Sequence, residues 1–202
     1  SPCCQTFSSS LPKRSLRRQN MATGKVPGGH EGFPERYASI GRTLSVAGGG
    51  ENVAWNLGYP DPVRTAYDGW LGSPGHKANI EIADWTHTGV GVAKDTKGGY
   101  YFTQLFVKVT VAGLWNYEWG AGGSSRAGTM NVDEKNGVIS GYIIYAGDKY
   151  NIAGTFVEAS LSFNIQFGSA YRITATVSSD RRKMSGTFSA NPGQYPFTGT
   201  KQ

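Results

Sequence analysis

Apolar residues recur at intervals of three and four between Pro62 and Leu71. Val63, Ala66, Tyr67, Trp70 and Leu71 would form one stripe of a helix. Asp61 can cap that helix and Pro62 suits its first position, so the pattern predicts a helix over 62–72 packed on a core. A second helix is predicted over 33–45. Ser73-Pro74-Gly75 then breaks the chain, which places His76 just beyond a helix end. From Thr88 the period changes: Val90-Gly91-Val92-Ala93, a turn over 94–99, and an aromatic and β-branched run from Tyr100 to Val111 predict a hairpin.

Beyond Gly113 the pattern is that of strands alone. Leu161-Ser162-Phe163-Asn164-Ile165-Gln166-Phe167 alternates apolar and polar residues, giving one face of each kind. Glycines at 128, 141, 154, 186 and 199, most followed by Thr, stand 13, 13, 32 and 13 residues apart. A strand with its turn takes roughly 8 to 12 residues in all-β domains, so the rhythm suggests successive antiparallel strands, each bent or crowded at its glycine. Lys135-Asn136-Gly137, Ala146-Gly147-Asp148 and Asn191-Pro192-Gly193 supply turns between them. About eight strands are expected over 113–202, closing into a small barrel or a tightly coiled sheet.

Composition agrees with a globular chain poor in helix: 38% hydrophobic, 17% charged, 12% aromatic and 29 glycines in 202 residues. The net charge of +6 is spread along the chain. Its densest cluster, Lys13-Arg14 with Arg17-Arg18, lies in a Ser-rich stretch that reads as a solvated, extended arm over 1–16. No basic helix, zinc spacing or RNA-binding aromatic motif accompanies the charge, so no specific nucleic-acid partner is expected. Cys3 and Cys4 are adjacent and cannot staple distant segments. No apolar run reaches the roughly 20 residues of a membrane-spanning helix. No signal peptide is present in this chain.

The segments that carry candidate chemistry are His30-Glu31-Gly32-Phe33, Gly50-Glu51-Asn52-Val53-Ala54, Gly69 to Ile80 with its Ser73-Pro74-Gly75-His76 core, Gly89-Val90-Gly91-Val92, and Tyr100-Tyr101-Phe102-Thr103-Gln104-Leu105-Phe106. In this order they resemble the CAP superfamily (cysteine-rich secretory proteins, antigen 5 and pathogenesis-related proteins), and within it the bacterial and cyanobacterial type. The resemblance covers about residues 17–108 and implies an α+β fold: an N-terminally abbreviated CAP-type α-β-α sandwich over 17–112, followed by the all-β antiparallel barrel-like domain over 113–202. It also implies an extracellular, secreted protein. The opening Gly113-Leu114-Trp115-Asn116 and the Gly-Thr pattern are faintly similar to avidin or lipocalin barrels.

Family members gather two histidines and one or two glutamates around a cleft. By motif match His30 takes the first histidine position, Glu51 the glutamate and His76 the second histidine, with Asn52 and Trp70 lining the same cleft. Ser73 stands where many members carry a second glutamate. Two imidazoles and a carboxylate can hold a divalent ion such as Zn2+ or activate a water; no cofactor is required. Two structural alternatives stay open: His76 bonding free carbonyls at a helix end, and Glu51 satisfying backbone N–H groups beside a Gly48-Gly49-Gly50 loop. His87 reads as structural.

The function expected is non-enzymatic binding of a small apolar ligand, a peptide, or a surface glycan or protein through the His/Glu cleft. One alternative is a metal-dependent hydrolase with His30 and His76 as ligands and Glu51 as base. Another is extracellular assembly through strand edges of the C-terminal module.

Overall fold

A computed structural model describes residues 5–6, 29–120, 125–166, 170–191 and 193–202. The remainder of the expected arm and both cysteines lie outside those residues. The chain divides into two units, Ser1–Val109 and Thr110–Gln202, where the expected boundary was 112/113.

Among the described residues, the first unit is a small sheet with three helices. Strands β2 (Val46–Asn56), β3 (His87–Lys94) and β4 (Tyr100–Val109) are antiparallel, with β4 central, and β1 (Gln5–Thr6) adds two residues parallel to β3. The helices are α1 (Phe33–Gly41), α2 (Pro62–Gly72) and α3 (Pro74–Glu81). Leu105, Val107 and Val109 of β4 pack with Ile40, Phe33 and Tyr37 of α1, whereas Phe102 packs with Ala66 and Trp70 of α2. Side chains alternate along a strand, so odd and even positions of β4 serve different helices.

Three expectations are corrected here. Strand accounts for 58% of the described residues and helix for 17%, so the fold is mostly β, and no α-β-α sandwich is evident among those residues. The helices hold only 9, 11 and 8 residues. Gly48-Gly49-Gly50 is no loop but the middle of β2. Its glycines serve packing: a Cβ at Gly49 would lie 2.5 Å from the Tyr37 ring, so only glycine lets α1 settle there. Finally, Ser73-Pro74-Gly75 does not leave His76 beyond a helix. Asp61 caps α2 through the Arg64 amide at 2.9 Å as the sequence predicts, but after the extended Ser73 the proline opens a new helix. His76 therefore sits in the first turn of α3.

The second unit is a closed antiparallel barrel of eight strands: β5 (Gly113–Trp119), β6 (Arg126–Lys135), β7 (Val138–Tyr145), β8 (Asp148–Val157), β9 (Ser160–Gln166), β10 (Ala170–Val177), β11 (Lys183–Ala190) and β12 (Gly193–Lys201). Each strand pairs with the next, and β12 returns to β5 with Phe197 opposite Trp119 and Lys201 opposite Trp115. The inward residues form one cluster that includes Trp115, Met130, Ile143, Leu161 and Ile173, all at 0% exposure. The Gly-Thr rhythm marks where neighbouring backbones press together. A Cβ at Gly154 would come 2.0 Å from the Ser162 carbonyl oxygen, and one at Gly141, held at φ +132°, 2.1 Å from that of Asn131. Closure removes every strand edge in this unit, which takes away the basis for assembly by edge pairing.

Candidate functional site

Glu51 lies on β2 opposite Leu105, so its side chain turns to the face that α1 covers. It is 1% exposed. A carboxylate so placed needs compensation, because burying an unpaired charge is costly. Arg36 supplies it from the buried stripe of α1, donating from Nη2 to Glu51 Oε2. Its Nη1 donates to the Glu31 carbonyl at 2.9 Å, which ties the loop ahead of α1 to the same cation. On the other carboxylate oxygen, His30 Nδ1 stands 3.2 Å from Oε1. A carboxylate paired with arginine only accepts, so Nδ1 is the donor in this contact. The His30 side chain is 57% exposed. The loop is fixed to the helix by Phe33 N to His30 O at 3.0 Å and Arg36 N to Gly32 O at 3.2 Å.

Asn52, the next residue, points to the other face of β2 and is 0% exposed. Its Nδ2 donates to the His76 carbonyl at 3.0 Å and to Gln104 Oε1 at 3.4 Å, while its Oδ1 accepts from Asn79 Nδ2 at 3.0 Å. Asn79 Nδ2 also reaches the Glu51 carbonyl at 3.4 Å, and its own carbonyl accepts from Trp85 Nε1 at 2.7 Å. Asn52 is thus the hub that holds α3 to the sheet. Trp70 lies in the α2 core at 6% exposure and donates its indole N–H to the Val53 carbonyl at 3.0 Å.

The structure brings His30 and Glu51 together directly. His76 takes part through its backbone carbonyl, joined to Asn52 on the face away from Glu51's carboxylate. Sequence reasoning missed Arg36 and Asn79. Arg36 had a legible signal: with Phe33, Tyr37 and Ile40 it falls at spacings of three and four, a charge on an apolar stripe that demands a buried partner. Asn79 had none.

A divalent ion shared by His30, His76 and Glu51 does not fit this arrangement. Arg36 occupies Oε2 and would stand against the ion, and among the described residues no three His, Cys, Asp or Glu side chains are placed to hold a metal. Water activation by Glu51 meets the same obstacle, since both oxygens are engaged.

The geometry defines a compact domain with one buried carboxylate bridging a helix cation and an exposed imidazole. The family model described as "Cysteine-rich secretory protein family" (CAP) matches residues 17–106, which supports the resemblance of that segment to the CAP family. The uncharacterized membrane protein YlbC of Bacillus subtilis (strain 168) is 48% identical over 59 residues, 29% of this chain. The chain spans 15% of that protein's length. No solved structure matches.

Proposed function

We propose that this chain is a secreted or envelope-associated CAP-family protein that binds a peptide or a peptide-bearing surface partner, without catalysis, where His30 emerges beside Glu51. The observation that carries this reading is the commitment of the Glu51 carboxylate: one oxygen to His30, the other to Arg36, at 1% exposure. Such a carboxylate orients an imidazole; it does not take a proton from water or share a metal. The half-exposed imidazole then offers a partner a hydrogen-bonding edge held in a fixed orientation. The family's description as secretory and the naming of the Bacillus relative as a membrane protein support a place at or beyond the cell surface.

The test is selection of random displayed peptides on the full chain, followed by retesting on His30→Ala and Arg36→Met. The reading expects selected peptides to compete with one another and to lose about tenfold in affinity on His30→Ala, the cost of one interface anchor of about 1.4 kcal/mol. Turnover of ester or peptide substrates that disappears in Glu51→Gln would overturn it.

A further inference from the structure

The barrel has a second feature that the CAP assignment does not touch. Trp119 ends β5, Arg126 opens β6, Tyr145 ends β7, Tyr171 lies at the start of β10, Phe188 near the end of β11 and Tyr195 near the start of β12. In an antiparallel barrel those positions share one end. There, with Gly120, they line a cavity of about 460 Å³, within the range of small-molecule sites.

Its floor is a stack of rings. Trp119 and Phe188, at 7% and 5% exposure, lie 4.3 Å apart between centroids and 13° from parallel. Tyr171 stacks on Phe188 at 5.7 Å and 8°, and Tyr145 meets Trp119 at 5.2 Å. The rim is different in kind: Tyr195 is 41% exposed and Arg126 is exposed. The interior is filled by fully buried side chains such as Trp115, Met130 and Ile143, so the cavity is a cup and not a tunnel. A long aliphatic chain has nowhere to extend. The Trp119–Phe188 floor offers parallel ring faces, which suit a flat aromatic ring.

We infer that this cup binds a small planar aromatic anion, its ring against the Trp119–Phe188 floor and its carboxylate or sulfonate at Arg126. Aromatic stacking supplies the burial and one rim cation fixes the orientation.

The experiment titrates the full chain with 1-anilinonaphthalene-8-sulfonate and with its uncharged analogue N-phenyl-1-naphthylamine, following fluorescence and the indole N–H resonances. The expected result is one-to-one binding of both probes with a shift at the Trp119 indole. Arg126→Gln should weaken the sulfonate about fivefold, as for one exposed ion pair, and leave the neutral probe unchanged. Tyr195→Ala should weaken both. Both positions lie on the exposed rim, so neither change threatens the fold. Binding of neither probe below 1 mM, several equivalent sites, an unshifted Trp119 indole, or an equal response of both probes to Arg126→Gln would each overturn the inference.

Discussion

Arg36 of α1 and Glu51 of β2 form a buried ion pair, at 9% and 1% side-chain exposure, and this pair joins the helix to the sheet. Removing one partner strands the other charge. Arg36→Met should therefore cost about 3–5 kcal/mol, whereas Arg36→Met with Glu51→Leu should recover most of it, because a buried pair is worth little more than well-packed apolar residues. Equilibrium urea unfolding of the single and double variants measures both values.

Asn52 makes the same kind of demand without charge. Asn52→Ala leaves the His76 carbonyl, the Gln104 amide oxygen and the Asn79 amide group without their buried partner. A loss of about 1–3 kcal/mol is expected, and amide exchange should show it first in α3.

How far the sequence foretold these contacts depends on the residue. Helix α2 was readable from the spacing of Ala66 and Trp70 and from the Asp61 cap, because those signals are local. The barrel's eight strands were readable from the recurring glycines and the alternation at Leu161 to Gln166, but a barrel and a coiled sheet stayed equally open, because closure rests on the long-range pairing of β12 with β5. Strand β2 was hidden, since three successive glycines carry no periodicity and their meaning lies in the Tyr37 ring packed over Gly49. His76 was misplaced because Pro74 both ends one helix and starts another, and local rules do not choose between the two. The partition of Glu51 and Asn52 to opposite faces needed the strand to be known.

Gly154→Val tests the close approach of β8 and β9. Glycine there faces the Ser162 carbonyl and the Phe163 backbone, which cannot retreat without parting two strands. The barrel should lose at least about 2 kcal/mol, in the upper part of the range for overpacking, read by thermal unfolding of the near-ultraviolet signal. Gly141→Val should cost more, since its φ of +132° adds backbone strain to the same kind of clash.

Lys201 gives the barrel a pH dependence. Burial first, then the neighbouring Arg182, push its amine down to about 8 from 10.5. Between those values the unfolded chain binds the proton that the folded barrel releases, so stability rises as pH climbs from about 8 to 10.5. Below about 8 both states are protonated and the folded one bears the cost. Lys201→Met should raise stability at neutral pH and flatten that slope, provided the hydrogen bond from Nζ to the Thr110 carbonyl at 3.2 Å contributes less than the burial costs. Thermal midpoints at pH 7, 9 and 10.5 measure it.

Zinc titration by calorimetry at neutral pH, on the full chain and on His30→Ala, His76→Ala and Arg36→Met, tests the commitment of Glu51 most directly. With both carboxylate oxygens engaged, the native chain should take up no zinc through these residues, and neither histidine change should alter the trace. One-to-one uptake by the native chain that vanishes in either histidine variant would contradict the account and restore the metal-centred reading.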